Sequence, residues 1–310
     1  MRSLWPLALL CALGSTACGP APAPVSPLKA VPAQASRFAA DPRVGVYVST
    51  PWGFSTSSYW IEGPDGLIVI DTQFLPSAAA ELIERAEATT GKPVKLAIVL
   101  HPNPDKFNGV ATFQARGIRV VTAQQVADLI PAIHLQRRGR FYEEHQPDYP
   151  YETPVPEVFG ATTTELSAGG VTVTAHVLPG PGCSKAHVVV TFDGHVFPGD
   201  LVAHQHHGWL EIGETPAWRQ RLQEIQALQP RFVHPGRGAS GGPEVLAAMD
   251  AYLAFAIERV AAHRAEGQPL AAGVQAVIAD IKARYPGFGH PYFLQIGVPA
   301  EWRRQDAEGG

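Results

Sequence analysis

The stretch VKLAIVLHPNPDKFNG, residues 94–109, decides the fold. Its first seven residues are an apolar run broken only by Lys95, the pattern of a strand buried on both faces, and it runs straight into His101 without a turn. Outward from it the pattern alternates. Upstream, residues 76–90 have a helical period that ends at Gly91-Lys92-Pro93, and before them 44–72 hold β-prone runs divided by Pro-Trp-Gly and Gly-Pro-Asp-Gly turn signals. Downstream come a short helix at 109–115, a strand at 118–122 and a helix from about 123 to 138. Strands resume at 162–166, 171–177, 187–192 and 195–197. Helices at 216–228, 243–266 and 271–285 flank a short strand at 231–234. This order, meander, βαβα, meander, βα, predicts an α/β fold: an αββα sandwich of two mixed β-sheets flanked by helices.

The ends of the chain carry a different message. Met1-Arg2, the apolar stretch 4–13 and the small residues before Cys18 form an export signal over 1–17, too short for a permanent membrane span. Ser-Thr-Ala-Cys resembles a lipoprotein processing site, although Ser15 stands where leucine is usual. Lipidation of Cys18, with membrane attachment, and plain cleavage after Ala17 are both open. Either places the protein outside the cytoplasm, in the periplasm or anchored to a bacterial envelope. Residues 18–40, rich in proline and alanine, read as a tether without chemistry, and 41–310 as the folded domain. With Cys11 in the signal and Cys18 at its end, Cys183 stands alone and no disulfide framework is available.

The chain has 310 residues, 45% apolar and 17% charged, and a net charge of -4, enough for a sizeable core and without the basic surface that nucleic acid requires. Thirty glycines and 29 prolines predict many loops. One segment, 139–160, shows aromatic and acidic residues, four prolines and no period, and reads as a long loop that either lines a site or fills surface.

Four strand-end loops collect the polar residues: HPNPDKFNG (101–109), PGPGCSKAH (179–187), FPGDLV (197–202) and HPGRG (234–238). Together with IVIDT at 68–72, these signals resemble the metallo-β-lactamase superfamily in order and spacing over most of residues 44–240. The resemblance implies a metal pattern of His-x-His-x-Asp-His, a later His, a bridging Asp and a final His, and this chain departs from it. His101 and Asp105 match, but Asn103 and Lys106 stand at the second and fourth positions. Cys183 replaces the later histidine, Asp200 matches the bridging acid, and Arg237 replaces the last histidine.

By that correspondence His101, Cys183 and Asp200 are the candidate ligands of one zinc ion, all accepted donor types. Asn103, a poor ligand, is left as a substrate contact. A second ion is excluded at Asp105, Lys106 and Arg237, because neither cation has a lone pair to offer. Asp105, Lys106 and Arg237 are instead the candidate catalytic groups, orienting water and stabilising an oxyanion. In the stretch HQHHG, His204 and His206 read as solvated side chains, and His207 as a substrate contact at the mouth. Asp71, at a strand end, reads as a structural hydrogen-bonding residue.

Three functions follow. The first is a hydrolase with a single zinc, acting on an ester, lactone, amide or thioester. The second is a non-catalytic, metal-free member of the fold whose cleft binds an anion such as a carboxylate or phosphate. The third is metal-free catalysis by Cys183 with His101 as base.

Overall fold

The computed structural model describes residues 27–309, so the expected export signal and Cys18 lie outside the described residues. Two sheets pack face to face with helices on the outside, as the strand and helix order predicts. The first has seven strands in chain order: β1 (Gln34–Arg37), β2 (Val44–Val48), β3 (Ser57–Glu62), β4 (Leu67–Ile70), β5 (Val94–Ile98), β6 (Arg119–Ala123) and β7 (Glu157–Gly160). Pairing is antiparallel from β1 to β4 and parallel from β4 to β7. The second sheet holds β8 (Thr164–Ala168), β9 (Val171–Leu178), β10 (His187–Phe192), β11 (His195–Ala203) and β12 (Phe232–Arg237), ordered β12-β11-β10-β9-β8, with only β11 and β12 parallel.

Burial follows from this layering. All four residues of β4 and all nine of β11 are buried, because each strand is covered on both faces. The helix Pro76–Thr90 begins on a proline whose missing N–H costs nothing in the first turn, and lays Ala79, Leu82, Ile83 and Ala86 on the first sheet. The helices Thr215–Ala227, Glu244–Ala265 and Leu270–Arg284 cover the second sheet through a separate apolar cluster that includes Val202, Trp218, Leu253 and Ile281. A final helix, Leu294–Gly309, joins that layer. It has no counterpart among the expected elements, because Pro299 lies inside it and its apolar residues are sparse.

Two expectations are corrected. The tether does not reach residue 40, since Gln34–Arg37 pairs antiparallel with β2 and Arg37 bonds to Glu62. Its exposed QASR pattern carries no apolar alternation, so only the neighbouring strand defines it. The long loop at 139–160 is also shorter than expected: the helix Ile130–His145 takes its first third and β7 its end.

Candidate functional site

Four loops meet where β5, β11 and β12 end and where β9 turns into β10. The first carries His101, buried, then the short helix Pro104–Phe107 with Asp105 and Lys106 inside it. Asp71, held at φ +64° at the end of β4, accepts the Leu100 N–H at 2.9 Å and so fixes the start of that loop. Asp200 sits within β11 and Arg237 ends β12. The two strands approach so closely at this point that a Cβ on Gly236 would lie 2.0 Å from Asp200 Oδ1, and only glycine fits.

The centre of the site is a cluster of charges. Lys106, fully buried, places Nζ 2.8 Å from Asp200 Oδ1, 3.1 Å from Asp105 Oδ2 and 3.8 Å from Asp71 Oδ2. Arg237 Nη2 bridges Asp105 Oδ2 at 2.7 Å and Asp200 Oδ2 at 3.3 Å, while Nη1 donates to the Phe54 carbonyl and to Thr56 Oγ1. Burial by itself would lower the Lys106 pKa, but the carboxylates of Asp105, Asp200 and Asp71 outweigh it and hold the ammonium charged above its ordinary range. Asp200 shows the mirror case. Burial raises its pKa, and Arg237, Lys106 and His101 more than reverse that, leaving a carboxylate well below the usual range. Asp71, deeper and less compensated, is pushed up to about 8 by burial.

Beside this cluster lies a second group. Donor atoms of His101, Cys183 and His187 all fall within 4.8 Å of one another, and all three residues are buried. Both ring nitrogens of His101 lack a hydrogen-bond partner, an expense a buried imidazole rarely carries. Burial lowers His101 to about 4 and His187 to about 3, so both rings are neutral and able to donate a lone pair. Cys183 Sγ is 4.0 Å from His187 Nδ1, and burial raises its thiol well above the ordinary range. Without an ion the thiol therefore stays protonated, which removes support from Cys183 as a free nucleophile.

The donor set fits one ion and not two. His101, Cys183 and His187 are zinc-type ligands with an orphaned imidazole among them. Asp105 and Asp200, which a second ion would need, are occupied by an ammonium and a guanidinium that cannot ligate.

Above the cluster opens a pocket lined by Phe54, Phe74, Phe141, Trp209 and Phe293, with Asn103, Asp105, Asp200 and Arg237 at its polar end. Arg137 also lines it but is clamped by both oxygens of Glu211.

Most of the expected site residues converge here, with two changes. His101, Asn103, Asp105, Lys106, Cys183, Asp200 and Arg237 lie in or beside the site. Asp200 is nevertheless engaged by both cations, its Oδ2 3.8 Å from His101 Nε2, and His187 takes the third place in the tight donor group. His187 follows Cys183 by four residues, a spacing that the strand pattern of HVVVTF concealed. His207 is corrected outright. It is 1% exposed, its ring is bonded to the Tyr252 hydroxyl at 3.1 Å, and it does not line the pocket. The chain after β11 folds inward there, so the histidine expected as a substrate contact at the mouth is a core residue. Of the aromatic wall, the sequence offers only the segment 139–160, which supplies Phe141; the other members come from four further separate segments.

The family model for the metallo-beta-lactamase superfamily matches residues 51–237, more than half of the chain and every loop just described. The chain belongs to the metallo-beta-lactamase superfamily. Members of this superfamily typically bind zinc. The chain is similar in fold to the metallo-beta-lactamase of Pontibacter korlensis, with 21% identity, a TM-score of 0.59, and coverage of 71% of this chain and 98% of that one. It is similar also to the metallo-beta-lactamase FIM-1 of Pseudomonas aeruginosa, solved in a mono-zinc form, at 20% identity and a TM-score of 0.58, covering 74% and 97%. A third fold relative is the metallo-beta-lactamase of Hirschia baltica, at 19% identity and a TM-score of 0.55, covering 71% and 97%. No curated protein matches the sequence.

Proposed function

We propose that this protein is an exported, hydrolase-like member of the superfamily that works with at most one zinc ion, on a small and uncharged ester, lactone, amide or thioester. The observation that carries the reading is the group His101, Cys183 and His187, three buried donors of which one, the His101 imidazole, has no hydrogen-bond partner. These residues would hold the ion. Bound there, zinc supplies Lewis acidity toward a carbonyl and lowers the pKa of water.

The chain's own residues do the rest. The aromatic walls formed by Phe54, Phe74, Phe141, Trp209 and Phe293 bury an apolar substrate and exclude bulk water. The Asn103 amide, at the polar end, donates to a substrate oxygen. Arg237 presents fixed positive charge toward an oxyanion, held in place by Asp105 and Asp200, so that little reorganisation is needed, while Lys106, buried behind the pocket, anchors those two carboxylates. Since Arg137 and Arg237 are each already paired with carboxylates, an anionic substrate would have to displace Glu211, Asp105 or Asp200. An uncharged one would not.

The deciding experiment measures zinc per chain together with turnover of neutral aryl esters and lactones, before and after chelation. About one zinc per chain and chelator-sensitive turnover are expected. A folded chain that takes up no zinc, or turnover indifferent to chelator, overturns the reading.

A second reading has its own support. The ion pairs of Lys106 and Arg237 supply the positive charge that a metal would otherwise bring to Asp105 and Asp200, as in a metal-free binding protein of the same fold. It predicts ligand-dependent thermal stabilisation, by an anion such as a carboxylate or phosphate if one does displace a carboxylate from Arg237, with no response to chelator.

Export belongs to this proposal and rests on residues 1–18. Fractionation should find the protein in the periplasm or membrane, and if Cys18 is lipidated, Cys18→Ala should release it from the membrane.

A further inference from the structure

Away from the pocket, four residues form an unbroken hydrogen-bonded chain. Asp41 Oδ2 lies 3.1 Å from His195 Nε2, His195 Nδ1 lies 2.8 Å from His234 Nε2, and His234 Nδ1 lies 2.8 Å from Ser240 Oγ. None of them lines the aromatic pocket.

The chain has a direction. Arg43 donates to both oxygens of Asp41 and holds the carboxylate ionised, so Asp41 can only accept. His195 therefore carries its proton on Nε2 and, as a neutral ring, leaves Nδ1 bare. His234 must then donate from Nε2, which leaves its own Nδ1 to accept the hydroxyl proton of Ser240. This is the polarity of a serine, histidine and acid relay with a second imidazole inserted between base and acid. Neutral rings are favoured by burial, which lowers His234 to about 3 and His195 below its ordinary value.

The fold holds the parts rigidly. The two histidines stand on the paired parallel strands β11 and β12, their rings stacked with 12° between planes and enclosed by Phe38, Phe197, Phe232 and Tyr59. After β12 the chain turns back, and reciprocal bonds between Val233 and Gly241 at 2.8 and 3.0 Å lock Ser240 beside His234. Ser240 is only half-buried, unlike the histidines behind it.

We propose that Ser240 is an activated nucleophile, a second and metal-independent centre that accepts the acyl group of a small activated ester. Ser240 Oγ bonds to the ester carbonyl carbon as its proton passes to His234 Nδ1. The carbon–alkoxide bond then breaks, and the leaving oxygen takes that proton, giving O-acyl-Ser240 and the free alcohol or phenol. His234 is the base; His195 and Asp41 are positioning residues that fix its tautomer.

The test uses the purified, chelator-treated chain and 4-nitrophenyl acetate, reading 4-nitrophenolate release and locating the acetyl group by peptide mass spectrometry. Acetylation at Ser240 is expected, absent in Ser240→Ala and slowed by ~10²-fold in His234→Gln. Asp41→Asn should slow it at unchanged melting temperature, with Asp41→Glu restoring the rate. No adduct on Ser240, or equal rates in wild type, His234→Gln and Asp41→Asn, overturns the proposal. Should His234→Gln fail to fold, the Asp41 pair and the Ser240 adduct still decide it.

Discussion

Lys106 Nζ stands 2.8 Å from Asp200 Oδ1, an ammonium and a carboxylate from distant loops meeting in a place closed to solvent. Two buried charges survive there only because each compensates the other's lost hydration. With Arg237 on the opposite oxygen, Asp200 is bound on both sides by cations. This is the arrangement that a bridging carboxylate has between two metal ions, rebuilt from side chains.

Removing one partner should therefore be costly. Lys106→Met leaves Asp105 and Asp200 sharing Arg237 alone, and a loss of ~3–5 kcal/mol in unfolding free energy is expected from urea titration. The double variant Lys106→His, Arg237→His should instead bind one more zinc per chain than wild type, with a melting temperature that becomes sensitive to chelator.

Cobalt(II) substitution reports on the other half of the site. A thiolate-to-cobalt absorption band is expected in the wild type and should vanish in Cys183→Ser. His187→Ala should weaken cobalt uptake, while Asn103→Ala should leave it unchanged.

Acid should destabilise the chelated protein from near neutrality downward. His101 and His207 are lowered to about 4, and His187, His234 and His290 to about 3, all chiefly by burial. Each takes up its proton more readily unfolded, near pH ~6.5. Their stabilisation is thus complete above that value and is lost as pH falls toward 3. Asp71, raised to about 8, acts in the opposite sense between about 4 and 8, one group against five. Denaturation midpoints should fall steadily from pH 6.5 to 4, with net proton uptake on unfolding measured calorimetrically; a midpoint flat across that range would contradict it.

The pocket wall is tested by Phe141→Ala. Loss of one aromatic face, worth ~1.5–3 kcal/mol of apolar burial, should weaken binding of a neutral aromatic ligand ~10-fold to 100-fold, together with a loss of stability because the ring also packs on Phe54, Phe74 and His145.

His207→Ala separates position from proximity in sequence. Leaving the buried Tyr252 hydroxyl without its ring partner should cost ~1–3 kcal/mol of stability, while turnover and KM stay as in wild type.

Much of this was legible in the linear chain. The apolar run before His101 and the spacing of the polar loops specify which strands are central and where their ends gather, since burial on both faces demands continuous apolar residues. Lone-pair chemistry alone excludes a metal at Lys106 and Arg237. The fate of His207 and the role of His187 were not legible. Whether a histidine faces solvent, core or a neighbouring thiol depends on how a loop closes, which local pattern does not encode.

The sequence by itself determined the layered fold and the identity of the charged residues at its centre, because periodicity and donor chemistry are properties of single segments. Tertiary structure decided everything that depends on distance between segments: that Lys106 and Arg237 seat themselves on Asp105 and Asp200, that His187 rather than Asp200 completes the donor group, and that Asp41, His195, His234 and Ser240 join into one chain. Hydrogen bonds and ion pairs act over a few ångströms, and residues as far apart as 41 and 240 reach that range only once both sheets have closed.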